Sequence, residues 1–302
     1  MSGNALIRAE AVMGTLVTMH VVDGVNQAGA HAAMGRAFAW FHQIESCCTR
    51  FEEHSELMQV TARAGAPVEA SAMLYEAVRF ALMVAEESGG AFDPTVGHRM
   101  AARGFNREHR TGAEVQTMIT TADDVSYRDV ALDAERKTIT LLRPLTLDLG
   151  AVAKGLAVDT AAHELKPFRD FAIDAGGDLY LGGTNARGAP WQVGIRHPRR
   201  EGELMEVLSV SDLAVCTSGD YERRTAAGEA HILDPRTGES SRSVASATVV
   251  AKGAMLADAL ATAAFVLGPE DGMRLFERMG VDGLIVTPEL QRYETRGLCR
   301  AA

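Results

Sequence analysis

Cysteine is scarce: four thiols, Cys47, Cys48, Cys216 and Cys299, occur in 302 residues, with no Cys-x-x-Cys pair and no histidine at zinc spacing. That excludes a disulfide scaffold and a zinc module, and leaves the redox compartment open. Dense basic blocks are missing too. With 40 acidic against 30 basic residues the formal charge is −10, which gives nucleic acid no electrostatic footprint to bind. The nearest basic cluster, Arg196, His197, Pro198, Arg199 and Arg200, follows a strand-like run and reads as a solvated turn. Long apolar runs are absent: residues 259–267 include Thr262 and stop at Gly268-Pro269, well short of a membrane span. Residues 1–20 contain Arg8 and Glu10 and no signal-peptide core, so the sequence as written predicts a cytoplasmic protein, or a periplasmic one if a leader was removed. Aromatics are only 6%, but 47% hydrophobic and 23% charged residues are the composition of an ordinary globular protein. The length predicts one domain over residues 1–302, or two interlocked lobes.

Periodicity locates the elements. Residues 12–22 alternate as an opening strand, with Asp23-Gly24 as the turn after it. Met34, Phe38, Phe41 and Cys48 fall at helical spacing, as do Leu74, Val78, Leu82 and Ala85 before Ser88-Gly89-Gly90. Residues 138–142 and 145–149 read as a hairpin that delivers Asp148 near a strand end. An alanine-rich helix follows over 152–165, then strands at 171–174, near Tyr180, and at 191–196, 207–210, 213–216, 230–233 and 245–250. A second alanine-rich helix spans 255–267, with closing strands at 283–287 and 292–295, and the most loop-like stretch is 99–112. Strands pairing without regular βαβ alternation predict an α+β fold, with mixed or antiparallel sheets flanked by helices.

Several clusters place glycine beside a carboxylate, a hydroxyl or histidine, where a backbone can approach a ligand closely. They are Met13-Gly14-Thr15, the run from Ala91-Phe92-Asp93-Pro94-Thr95 to Gly97, Asp148-Leu149-Gly150-Ala151 through Lys154-Gly155, Thr217-Ser218-Gly219-Asp220-Tyr221, and His231-Ile232-Leu233-Asp234-Pro235 through Gly238. The segment 150–155 does not match an NTPase phosphate loop. It still predicts a turn entering a helix, whose N–H groups and dipole suit a phosphate, with Lys154 adding a mobile positive charge. Asp258 and Thr262, four apart, share one helical face. That pair is either a solvent-facing stripe or a carboxylate and a hydroxyl sharing a hard cation such as Mg²⁺.

Taken in order, these clusters resemble the ApbE-type FAD:protein FMN transferase family over nearly the whole chain, together with Asp174-x-Gly-Gly-Asp178 and Asp258-Ala-Leu-Ala-Thr262. The resemblance implies a fold related to the T-fold. It also implies that Asp258, Thr262 and the Ala151 carbonyl hold Mg²⁺, and that Met13, Ala91, Phe92, Asp93, Asp148, Lys154 and Ile232 line an FAD site. FAD is then a substrate, and the partner is an acceptor protein with a Thr or Ser hydroxyl, which attacks the FMN-side phosphorus and expels AMP. Lys154 would neutralise phosphate charge, and His231 or a nearby carboxylate would take the hydroxyl proton. Three departures from the family pattern stand out: Ala151 where a second glycine is frequent, Arg103-Gly104-Phe105 where a tryptophan is common, and Met255 where some relatives offer a further carboxylate. Two other outcomes share the same ligands, an FAD pyrophosphatase giving FMN and AMP, and a non-catalytic flavin-binding or delivery protein.

Overall fold

Met13 and Gly14 fold the opening strand back on itself. Both have positive φ, 52° and 70°, the pair of left-handed residues that a two-residue hairpin turn demands. Where alternation alone predicts one strand over residues 12–22, the chain therefore forms two, β1 (Leu6–Val12) and β2 (Thr15–Val21), with Val12 opposite Thr15. The computed structural model describes residues 5–22, 26–107, 112, 114–115, 120–122, 124–221 and 232–301.

The chain continues as α1 (Gln27–Cys48), α2 (Glu56–Thr61), β3 (Val68–Glu69), α3 (Ala72–Glu87), α4 (Gly97–Ala102), β4 (Val130–Asp133), β5 (Thr138–Leu141) and α5 (Gly150–Leu165). It then runs through β6 (Phe171–Ala175), β7 (Asp178–Gly182), β8 (Trp191–Arg196), β9 (Leu204–Val210), β10 (Leu213–Gly219), β11 (Ser246–Ala251), α6 (Ala254–Leu267), α7 (Pro269–Met279), β12 (Asp282–Val286) and β13 (Arg292–Glu294). Eight strands form the main sheet in the order β1-β2-β6-β7-β10-β11-β12-β13, and β3-β5-β4 and β8-β9 form smaller ones. Every pairing among the described strands is antiparallel, so the expected α+β class holds.

Alternation along the central strands builds two cores. Ala214 and Cys216 on β10, with Ala247 and Val249 on β11, join a large core with the helices, while Val215 and Val250 turn the other way onto the β8-β9 ribbon. With both faces covered, β11 is buried along its whole length. The helices α5 and α6 cross at Gly155, where a Cβ would run into the backbone of Met255. Among the described residues no helix is long and apolar enough to cross a membrane.

Three further expectations are corrected, and two helices are added. Residues 145–149 are no strand: β5 pairs with β4 and β3, and this segment instead hydrogen-bonds to the turn beside it, Asp148 N–H to the Pro94 carbonyl at 2.7 Å and Gly97 N–H to the Thr146 carbonyl at 3.2 Å. Its alternating leucines are buried without belonging to a ladder. The stretch 99–112 begins inside α4. Of the strand expected at 230–233, Ile232 and Leu233 are not in a strand, and residues 230 and 231 lie outside the described residues. Finally, α2 and α7 have no counterpart in the sequence reading, although Pro269 at the start of α7 and left-handed Gly280 after it are end signals.

Candidate active site

The site is assembled from element ends. The Met13 N–H, projected by the hairpin turn, donates to Glu45 Oε1 on α1 at 2.8 Å. After α3 stops, Ala91 and Phe92 pack inward and Asp93 organises the next turn. Its Oδ1 accepts from the Thr95 N–H and hydroxyl at 2.8 and 2.7 Å, and its Oδ2 accepts from the Tyr127 N–H at 2.9 Å. Burial pushes the Asp93 carboxyl above its ordinary pKa, against the pull of those hydrogen bonds and of Arg99. Both oxygens thus hold the loop that forms the wall.

Asp148 is held from two sides: Oδ2 accepts from Arg50 Nε at 2.7 Å and Oδ1 from the Gly150 N–H at 2.8 Å. Arg50 is 8% exposed, also donates to the Phe105 carbonyl, and lies over the Phe51 ring at 4.3 Å. Without Arg50 the Asp148 carboxylate keeps the Gly150 N–H and 19% of its side-chain exposure, which lowers the cost of losing a buried partner. Arg50→Ala is accordingly expected to cost about 2 kcal/mol in urea unfolding. A loss below about 0.5 kcal/mol, the range of ordinary surface substitutions, would contradict the buried pairing.

The first turn of α5 differs from the expected phosphate cradle. Ala151 leaves helical geometry at φ −91°, ψ 16°, and the turn tightens, so that the Val152 and Ala153 N–H groups both donate to the Leu149 carbonyl while Asp148 takes that of Gly150. Positive charge at this end comes from Lys154. Its ammonium forms an ion pair with Asp178 and lies 3.8 Å from Asp258 Oδ2. Asp178 is 3% exposed and Asp258 7%, which removes the solvent-facing reading of the Asp258 and Thr262 stripe. Thr262 Oγ1 lies 3.3 Å from Ser218 Oγ. Nearby Cys216 is pushed well above its ordinary pKa, first by burial and then by the Asp258 charge, with Lys154 pulling the other way.

Glu45, Arg50, Asp178 and Ser218 face one cavity of about 610 Å³. Met13, Ala91, Phe92, Asp93, Asp148, Ala151, Lys154, Ile232, Asp258 and Thr262 line it, so the candidate residues converge; His231 lies outside the described residues. The donors around Lys154 are all oxygen: two buried carboxylates and two hydroxyls. Asp178 Oδ2 has no hydrogen-bond donor among the described residues, only its ion pair. No group of three or more His, Cys, Asp or Glu side chains suited to a metal occurs among them. This mixed set fits Mg²⁺, which binds one or two carboxylates and completes its shell with water and substrate phosphate.

The model of the ApbE family matches residues 13–285, nine-tenths of the chain and every one of the lining clusters. The chain belongs to the ApbE family. It is 33% identical to the FAD:protein FMN transferase of Treponema pallidum (strain Nichols), over 96% of this chain and 87% of that protein. It is 28% identical to the protein of the same name from Haemophilus influenzae, over 88% of this chain and 82% of that one. Among solved structures, the ApbE protein from Thermotoga maritima superposes with a TM-score of 0.84 at 28% identity. The flavin transferase ApbE from Vibrio cholerae gives 0.84 at 25%, and each match covers 97% of both chains.

Within this ApbE fold, several cavity residues were not among the sequence candidates, Asp178, Glu45 and Arg50 among them. Asp178 ends the Asp174-x-Gly-Gly-Asp178 motif, and its partnership with Lys154 exists only in three dimensions. Glu45 and Arg50 belong to no motif; the signal available was a charge at the end of an apolar helix, a position that solvent exposure explains equally well.

Proposed function

We propose that this chain transfers FMN from FAD to a Thr or Ser hydroxyl of an acceptor protein and releases AMP. Mg²⁺ would be held by Asp258, Thr262 and the Ala151 carbonyl, and residues 1–302 would act as one catalytic unit. The observation that carries the reading is the convergence of the candidate residues on one cavity, with Lys154 between two buried carboxylates. The relatives' shared name supplies the reaction class.

About 610 Å³ lies within the ~300–1,000 Å³ range of small-molecule sites, and the walls divide the work. Met13, Phe92 and Ile232 offer apolar surface to flat rings, while Lys154, Thr262 and Ser218 offer polar groups at the buried end. Bound there, Mg²⁺ would neutralise charge on the diphosphate oxygens. The acceptor oxygen bonds to the FMN-side phosphorus, the bond from that phosphorus to the bridging oxygen breaks, and AMP leaves with the bridge. Phosphoryl-type transfer depends on position and charge more than on covalent help. Lys154, tethered to Asp178, can turn its ammonium to the departing phosphate. The hydroxyl proton passes to His231, the residue before cavity-lining Ile232, or to a cavity carboxylate.

Incubation with FAD and Mg²⁺, with and without a candidate acceptor, tests this through AMP release and acceptor mass. A gain of one FMN on the acceptor is expected. AMP without that gain makes the chain a pyrophosphatase, and FAD binding with neither product makes it a flavin-binding protein.

A further inference from the structure

Helix α6 carries Asp258 and Thr262 but starts without a cap of its own: Gly253 is the N-cap, and the first turn has no acidic residue. The leading N–H groups of a helix have no acceptor within it and must find one elsewhere. Asp159, on α5, provides it. Its Oδ1 accepts from the Ala254 N–H at 2.6 Å and its Oδ2 from the Met255 N–H at 3.0 Å, so both carboxylate oxygens grip the start of the neighbouring helix. A Cβ on Gly253 would stand 2.9 Å from Asp159 Oδ2, and one on Gly155 would meet the Met255 backbone. Two glycines therefore clear the space in which α5 reaches α6.

We infer that Asp159 is a positioning residue for the transfer, fixing where Asp258 and Thr262 stand relative to Ala151 and Lys154. The inference rests on the cation reading of the cleft. Ala151, Lys154 and Asp159 share α5, and Met255 and Asp258 are one turn apart on α6, so the clamp and the cation ligands lie on the same two rods. At ~1.5 Å of rise per residue, a slip of α6 by one residue would exceed what Mg²⁺ tolerates, since that ion needs oxygens near ~2.1 Å.

Three variants of the full chain separate this role from plain stability: Asp159→Ala, Asp159→Asn, and Leu275→Ala, a fully buried control on α7 away from the cleft. The readouts are amide hydrogen exchange of the metal-free protein over residues 254–258 and Mn²⁺ affinity by electron paramagnetic resonance. Asp159→Ala should speed exchange about tenfold and weaken Mn²⁺ binding about tenfold, the scale of a lost charged cap. Asp159→Asn, which keeps one acceptor but turns an NH₂ donor toward the other backbone N–H, should fall between the parent and Asp159→Ala on both. Leu275→Ala should leave Mn²⁺ affinity unchanged. Wild-type affinity in Asp159→Ala, or an equal loss in Leu275→Ala, overturns the inference. A parent chain that binds no Mn²⁺ brings down the cation reading and the inference with it, whereas unchanged exchange in Asp159→Ala removes the clamp alone.

Discussion

Asp258→Ala is expected to lower FMN transfer on the order of a thousandfold while the metal-free protein stays within about 1 kcal/mol of its parent in stability. The two halves of that expectation come from one geometry. Asp258 is the carboxylate of the proposed cation set, and losing several kcal/mol of charge stabilisation in the transition state is a loss of that size. The fold does not depend on it in the same way. Without Asp258, the Lys154 ammonium keeps its ion pair with Asp178, so no buried charge is stranded. Turnover with saturating FAD and Mg²⁺, set beside urea unfolding in chelator, measures both. Full turnover would remove Asp258 from the cation site; a collapse in stability would make it a structural residue first.

Lys154→Met reverses the balance. Asp178, 3% exposed, loses the ion pair that accompanies it into the interior, and a stranded buried carboxylate costs several kcal/mol. Lys154 itself retains 19% of its side-chain exposure, so some solvent screening reduces the penalty, and about 3 kcal/mol is expected in the absence of metal. Added Mg²⁺ should return part of that loss, because a cation in the cleft offsets the same carboxylates. Transfer should fall about a hundredfold even with Mg²⁺ present, the worth of one well-placed charge on a phosphate. Urea unfolding with and without Mg²⁺ is the check. Unaltered stability in chelator would mean that the Asp178 carboxylate does not need the ammonium.

The parts of this molecule legible in the sequence are those in which one local pattern has one physical cause. The stripes of α1, α3, α5 and α6 face the large core, and the alternation of residues 191–196 is the strand β8. Pattern failed where two causes produce one signal. Leu145, Leu147 and Leu149 alternate as a strand does, yet their burial comes from a segment pinned to the Pro94 turn. Val12 to Val22 reads as a continuous β run because Met13 has no turn character; the reversal rests on two left-handed residues, only one of them glycine. At the site, motifs brought Asp148, Lys154 and Asp258 into view because each sits beside a glycine or on a helical face. The ion pairs of Arg50 with Asp148 and of Lys154 with Asp178 span 98 and 24 residues of sequence, a separation over which spacing has no meaning.

A crystal soaked with FAD and Mn²⁺, whose anomalous signal marks the metal directly, tests the central claim. An anomalous peak is expected, bounded by Asp258, Thr262 and the Ala151 carbonyl, with the flavin dinucleotide's diphosphate against it and Lys154 within reach. A peak elsewhere, or a diphosphate lying away from those groups, would contradict it.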